Sequence, residues 1–576
     1  MRVWVLIVLA LFTAPALARL DYRVEIDAPK ELKSALEKGL NIVRWRLDPD
    51  MDAERLKRLV DEAIKETREA AATDGYFSAE VRAEVDSSAE QWVVRINVEP
   101  GERTRVGDVE IRFIGPALID AGEAQSRMRK VRENWALRVG QPFRQDDWES
   151  AKRQALREFS GWRYAAATVS ASRASVDPAS HRAALFVEIA SGPPFRFGEL
   201  RVSGTKRYSD KLVENLTPVK PGETYDREKV TLYTRRLLES GYFASVQAEI
   251  DASPQLADSA PLRVAVIDAP QHHFESGISY NTDVGPRLEA RYTNQDVLGT
   301  WWRFDSSLQL DQKIQSIPLE LNTPPRPGGV WNSYVTGWKQ QDIQNQITRD
   351  FVVGAAQNYG ATIAPTSYFI SAHSEESRTG GVIADSANAV YFGVKKSFRH
   401  TDAVVSPRQG YVLSAEVGGA PNALATQPFA RVVASASLFL VLARNDDLLI
   451  RGQGGAVRSQ SRTGIPSAFL FRTGGDQTVR GYSFESIGVP ESGAIVGGRR
   501  LLVGSIEYTR WIGESWGVAT FVDAGNAWDT GVRTDFATGY GVGARFRTPI
   551  GPIRADLAYG ALNDDWRLHF SVGYNF

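Results

Sequence analysis

The chain has 576 residues, 43% of them hydrophobic and 24% charged, with a formal net charge of -1. That length suggests several domains, and the near-neutral balance gives no electrostatic argument for a nucleic-acid partner. There is no cysteine, which excludes a disulfide framework and a thiolate metal site.

The N-terminus, MRVWVLIVLALFTAPALA, carries Arg2, an apolar core from Val3 to Phe12 and the small-residue site Ala16-Leu17-Ala18. This pattern predicts a secretory signal peptide over 1–18 and a mature chain from Arg19. No later apolar run approaches the ~18–20 residues of a spanning helix. A membrane β-barrel would not show one either.

From residue 19 to about Asp268 helical and strand-like patterns alternate. DAERLKRLVDEAIKETREAAATDGYF sets Leu56, Leu59, Val60, Ala63 and Ile64 on one helical face and stops at Gly75. Related helical runs stop at Gly161 and Gly241, each followed by two strand-like runs. Two units open alike, RVGDVEIRFIG from Arg105 and FRFGELRVSG from Phe195. The self-similarity, at a period of ~80–90 residues, predicts three small α+β domains of strand-helix-helix-strand-strand order, over 19–102, 103–193 and 194–269.

Beyond Asp268 the period becomes two. Leu288, Ala290 and Tyr292 oppose Arg287, Glu289 and Arg291. Ile553, Ala555, Leu557 and Tyr559 oppose Arg554 and Asp556, and WRLHFSVGYNF places Trp566, Leu568, Phe570, Val572, Tyr574 and Phe576 on one face. A soluble sandwich with one wet face also alternates. Export, the length of the region and the aromatic ends of the last strand favour a transmembrane barrel over 270–576, which must close so that every backbone group is paired. At ~19 residues per strand and turn this predicts about 16 antiparallel strands. In WGVATFVDAGNAW, Val518 and Val522 take the lipid side, so Asp523 points into the lumen.

The six histidines form no H-E-x-x-H, and there is no G-x-S-x-G elbow or Walker loop. The expectation is a non-enzyme that needs no cofactor or metal.

One stretch resists that plain reading. DQTVRGYSFESIG, at 476–488, follows Gly474-Gly475 in a long loop between late strands, expected from about Phe471 to Arg500, and fits neither a helix nor a phosphate loop. It is accompanied by YNTDVGPR near the barrel start, NQDVLG, FVDAGNAW and GVGARFRTPIGPIRADLAY. In this order the set resembles the superfamily of barrels that insert or export proteins at the outer membrane behind polypeptide-transport-associated (POTRA) domains. Three such domains look most like the TamA family, the barrel subunit of the translocation and assembly module.

The resemblance implies an outer-membrane location with periplasmic N-terminal domains, and work in assembling autotransporters and other barrel proteins. It implies as partners those unfolded substrates, outer-membrane lipid and a TamB-like inner-membrane-anchored periplasmic protein. It also implies that the loop folds back into the barrel, where Arg480 contacts Asp523, Gly481 lets the backbone bend and Tyr482 packs on the wall. The seam is expected between a weak first strand, about Phe274 to Asn281 with Ile278 and Tyr280, and the last, Trp566 to Phe576, with Phe570, Val572, Gly573, Tyr574 and the terminal Phe576. Deleting Phe576 is expected to impair the barrel's own assembly. Two other classes keep the same alternation: a two-partner secretion exporter, which would show two such domains and a plug helix, and a passive diffusion pore.

Overall fold

The computed structural model describes residues 20–572, apart from 89–90, 121, 361–364, 381, 404–405, 530, 532–534 and 549–550. The signal peptide and its cleavage site lie outside the described residues, as do Gly573, Tyr574 and Phe576. Two compact units emerge, one around the first two small domains and one around the barrel. The residues of the third small domain are divided between them.

Each N-terminal repeat is a three-stranded sheet with helices packed on it. In the first, Trp92–Glu99 is central, parallel to Tyr22–Asp27 and antiparallel to Glu80–Asp86. The long helix Ala53–Thr73 starts at Asp52, whose carboxylate accepts the Arg55 N–H at 2.7 Å, satisfying one of the donors that a helix start leaves open. It buries Leu56, Val60, Ala63, Thr67 and Ala71. Leu59 and Ile64 flank that core partly buried, so the apolar stripe read from the sequence is the packed face. In the second repeat Arg182–Ala190 is central, parallel to Arg105–Ile114 and antiparallel to Thr168–Asp177. In the third, Ala260–Asp268 lies between Phe197–Ser203 and Phe243–Ile250.

The joints between successive repeats are hydrogen-bonded. Thr104 N–H donates to the Gly75 carbonyl at 2.9 Å, and Arg144 pairs with Asp74 at 2.9 Å. Arg163 N–H donates to the Tyr225 carbonyl at 2.9 Å. Within the other unit, the Tyr242 hydroxyl donates to the Trp301 carbonyl at 2.8 Å, and Asn215 Nδ2 donates to the Pro325 carbonyl at 2.9 Å. These bonds fasten the third repeat to the barrel turns after the second and fourth strands.

The barrel closes with 16 antiparallel strands, from His272–Asn281 to Asp565–Val572. Its faces invert the soluble pattern. In Arg500–Ile512, Leu502 and Ile506 are more than half exposed, while Ser505, Glu507 and Thr509 are buried. In Trp516–Trp528, Val518 and Val522 point outward, while Phe521 and Asp523 are buried inside. Exposed apolar and buried polar side chains on one strand fit a wall between hydrocarbon and a polar lumen. Among the described residues no helix is long and apolar enough to cross a membrane.

The first strand begins two residues before the expected Phe274, and the last is described only to Val572. The long loop is also wider than its expected start at Phe471. It runs from the end of Asp446–Arg458 to the start of Arg500–Ile512. The earlier part of the loop, through Ile465 and Phe469, packs in an apolar cluster inside the barrel with Tyr391, Phe429, Phe471, Val479 and Tyr482.

Candidate functional site: the inserted loop and the seam

Strands of alternating direction put every odd-numbered connection at the barrel end opposite to the third repeat. The loop of 459–499 follows the eleventh barrel strand, so it leaves from that far end. It then returns inward and crosses the lumen. On one wall, Ser467 N–H donates to Glu375 at 3.0 Å, and Arg472 Nη1 donates to Gln346 Oε1 at 3.2 Å. On the other wall sits the tip.

Arg480 is 2% exposed, the largest fully buried side chain of the described residues, and Asp523 is 0% exposed. Arg480 Nε donates to Asp523 Oδ2 at 2.7 Å and Nη2 to Oδ1 at 2.9 Å. The Arg480 backbone N–H donates to the same carboxylate at 3.1 Å. This two-pronged geometry is open to a planar guanidinium and closed to an ammonium. Nη1 donates to Glu507 at 2.5 Å and lies 3.5 Å from Asp556. The guanidinium carbon sits 3.4 Å from the Phe521 ring centroid, a cation–π stack that shields the charge from the apolar wall.

Arg545 closes the network, reaching Glu507 at 2.9 Å and Asp556 at 2.5 Å. Two guanidiniums therefore face three carboxylates. Buried charge of this density is tolerable only because each group is paired and hydrogen-bonded.

The next two residues of the tip are held as tightly. Gly481 has φ +93°, and a Cβ there would meet the backbone of Tyr559 and Gly560 at 2.8–3.0 Å. Only glycine takes both that conformation and that approach. The Tyr482 hydroxyl donates to the Thr538 carbonyl at 3.1 Å and accepts the Leu562 N–H at 2.9 Å.

The structure thus brings Arg480, Gly481, Tyr482 and Asp523 together. The seam residues lie elsewhere on the wall. Tyr280 stands opposite Val572 and Asn281 opposite Ser571, and these are the register pairs of the seam among the described residues. The first strand is aligned with the second from His272 opposite Asn294 to Asn281 opposite Gly285. Tyr280 and Phe570 also meet as rings at 6.3 Å. Ile278 is 84% exposed on the lipid side.

Four site residues went unread in the sequence: Glu507, Arg545, Asp556 and His569, whose ring nitrogen accepts the Gly481 N–H at 3.0 Å. Strand parity places all four inward, yet parity is silent on which inward groups meet across a lumen.

Comparison with known proteins agrees with the architecture of POTRA repeats and barrel. Residues 278–576 match the Omp85 superfamily domain. The chain belongs to the Omp85 superfamily. Residues 23–100 match the POTRA domain TamA domain 1, and residues 195–266 the surface antigen variable number repeat of POTRA type. An Omp85 barrel of this kind sits in the outer membrane with its POTRA domains in the periplasm.

The chain is 23% identical over 536 residues to an outer membrane protein assembly factor BamA of Nitratidesulfovibrio vulgaris. The match covers 87% of this chain and 66% of that relative, so the chain spans about two thirds of the relative's length. The crystal structure of BamA from Haemophilus ducreyi lacking POTRA domains 1–3 superposes with a TM-score of 0.55 at 14% identity, over 82% of this chain and all of that one. CdiB from Escherichia coli gives a TM-score of 0.46 at 13% identity, over 90% of this chain and 97% of its own.

Proposed function

We propose that this chain is a non-enzymatic outer-membrane assembly factor of the TamA type, inserting autotransporters and other barrel proteins through the seam between its first and last strands. The observation that carries the reading is a lumen crossed by its own loop, which is bonded to both walls. With the route through the middle filled, passage in this reading falls to the seam between the first and last strands. The same loop argues against a passive pore, and three N-terminal repeats argue against a two-partner exporter with two.

The match of the first repeat to a TamA domain supports the finer assignment, and with it a TamB-like periplasmic partner. The assembly-factor role of the BamA relative supports the broader one. In this mechanism the periplasmic domains receive an extended chain by adding it to a sheet edge, a general mode of peptide capture. Each repeat offers two edge strands, such as Tyr22–Asp27 and Glu80–Asp86 in the first. The first barrel strand then templates the incoming strand, and the energy comes from substrate folding.

A photoreactive residue at Ile278 tests the reading in living cells. Adducts with assembling barrel proteins are expected there. They should be absent at Val417, which is also exposed on the outer face, 58%, but far along the wall from the seam. Equal adducts at the two positions would remove the seam from the mechanism.

A further inference from the structure

The NTDVG turn after the first strand has no part in the mechanism so far, yet its acid is buried. Asn281 Oδ1 accepts the N–H groups of Asp283 at 3.0 Å and Val284 at 2.8 Å, an Asx turn that fixes the direction of the Asp283 side chain. Asp283 is 2% exposed. Its Oδ2 accepts the N–H of Asp476, in the inserted loop, at 2.7 Å.

Its other oxygen, Oδ1, faces Nδ1 of His569 at 3.5 Å. Both of these atoms are buried, and neither has a hydrogen-bond partner among the described residues. His569, 1% exposed, belongs to the last strand. Its Nε2 accepts the Gly481 N–H at 3.0 Å.

An imidazole nitrogen that accepts carries no proton, so in the neutral ring the proton sits on Nδ1. There it points at Asp283 Oδ1, an acceptor that lacks a donor among the described residues. A buried donor and a buried acceptor left without partners are each costly, so the facing pair has a reason to stay together. The chain of contacts therefore runs from Asp476 in the loop to Asp283 beside the first strand, to His569 in the last strand, and back to Gly481 in the loop. Gly475 makes room for it, since a Cβ there would meet Asp283 Oδ2 at 2.4 Å.

We infer that Asp283 and His569 are positioning residues that fasten the first and last strands to each other and to the inserted loop, so that the resting seam is held shut from inside the lumen. Beside the Tyr280–Val572 and Asn281–Ser571 pairs and the Thr282 N–H bond to the Phe570 carbonyl, the side-chain relay adds a cross-seam contact from inside the lumen. Removal of the loop tip then loosens the seam, and release of the seam loosens the tip. The inference concerns the resting seam and stands apart from what passes through it.

The absence of cysteine gives a clean test in native membranes. Tyr280→Cys with Val572→Cys puts two thiols on directly opposed positions, within disulfide reach. Disulfide formation is timed in this pair alone and with His569→Ala or Asp283→Ala added. Each addition is expected to slow crosslinking by roughly fivefold or more, the scale of one buried polar contact, and both together by little more than either, since each breaks the same Asp283–His569 contact.

His569→Gln keeps an acceptor and a donor on the side chain and should return the rate toward that of the parent pair. Heat-modifiable migration equal to that of the parent pair shows that the barrel has formed. Unchanged or faster crosslinking in His569→Ala would overturn the inference, as would a His569→Gln rate as slow as that of the alanine. Slower crosslinking keeps the latch whatever the adducts at Ile278 show, so failure of the latch and failure of the seam as the exit are read separately.

Discussion

Arg480→Ala should free the inserted loop without unmaking the barrel. The substitution strips Asp523 of its ion-pair partner among the described residues and takes one cation from Glu507 and Asp556. Breaking a buried pair by removing one partner costs about 3–5 kcal/mol, less where lumen water reaches the orphaned carboxylate. The strands pair through their own ladders on both sides of the tip, so the cost falls on the docking of the loop and not on the wall.

Asp523→Ala should do less harm, because Arg480 keeps Glu507 and Asp556. The double variant should then lie close to Arg480→Ala, since both changes break one bidentate contact. Arg480→Lys should fall near alanine, because an ammonium cannot meet both Asp523 oxygens and Glu507 in one plane. Proteolysis of the 459–499 loop in intact cells reads docking, and surface display of an autotransporter reads function. Strictly additive losses, or a loop in Arg480→Ala as protected as that of the parent, would reduce this arginine to loop surface.

Much of this architecture is legible because periodicity is local. Helical stripes and two-residue alternation are set by neighbours within a few positions, and the alternation around Asp523 gave its direction without any partner in view. The strand number followed from length alone. What the sequence did not expose is long-range: that Arg545 shares Glu507 with Arg480, that the loop begins before Phe471, and that Asp283 and His569, 286 positions apart, face each other across the seam. Closure of a barrel sets such meetings, and no short window contains them. The resemblance supplied the Arg480–Asp523 pairing, which periodicity alone leaves undetermined.

Gly539→Ala should dislodge the same loop tip without touching a charge. Inward positions of Ala537–Thr548 alternate with the outward Tyr540 and Val542, and Gly539, Gly541 and Gly543 occupy them in succession. Their bare backbone is the floor on which the tip lies. A Cβ on Gly539 would stand 1.8 Å from the Arg480 carbonyl oxygen and 3.0 Å from its carbon. Both are backbone atoms, so no rotamer relieves the clash, and Gly481 behind them is already against Tyr559 and Gly560. Overpacking of this sort costs about 1–3 kcal/mol, and more where the backbone must shift. Displacing the carbonyl also pulls the Arg480 N–H from Asp523. Gly539→Ala should therefore match Arg480→Ala in loop proteolysis while retaining every ionisable group. Gly504→Ala is the control, since a Cβ there meets nothing within 4 Å, and it should be silent. If Gly539→Ala keeps the loop protected, the tip is held by its charges alone and the glycine row has no part in seating it. If both alanines expose the loop, the effect belongs to the strands in general and the proposed fit at Gly539 fails.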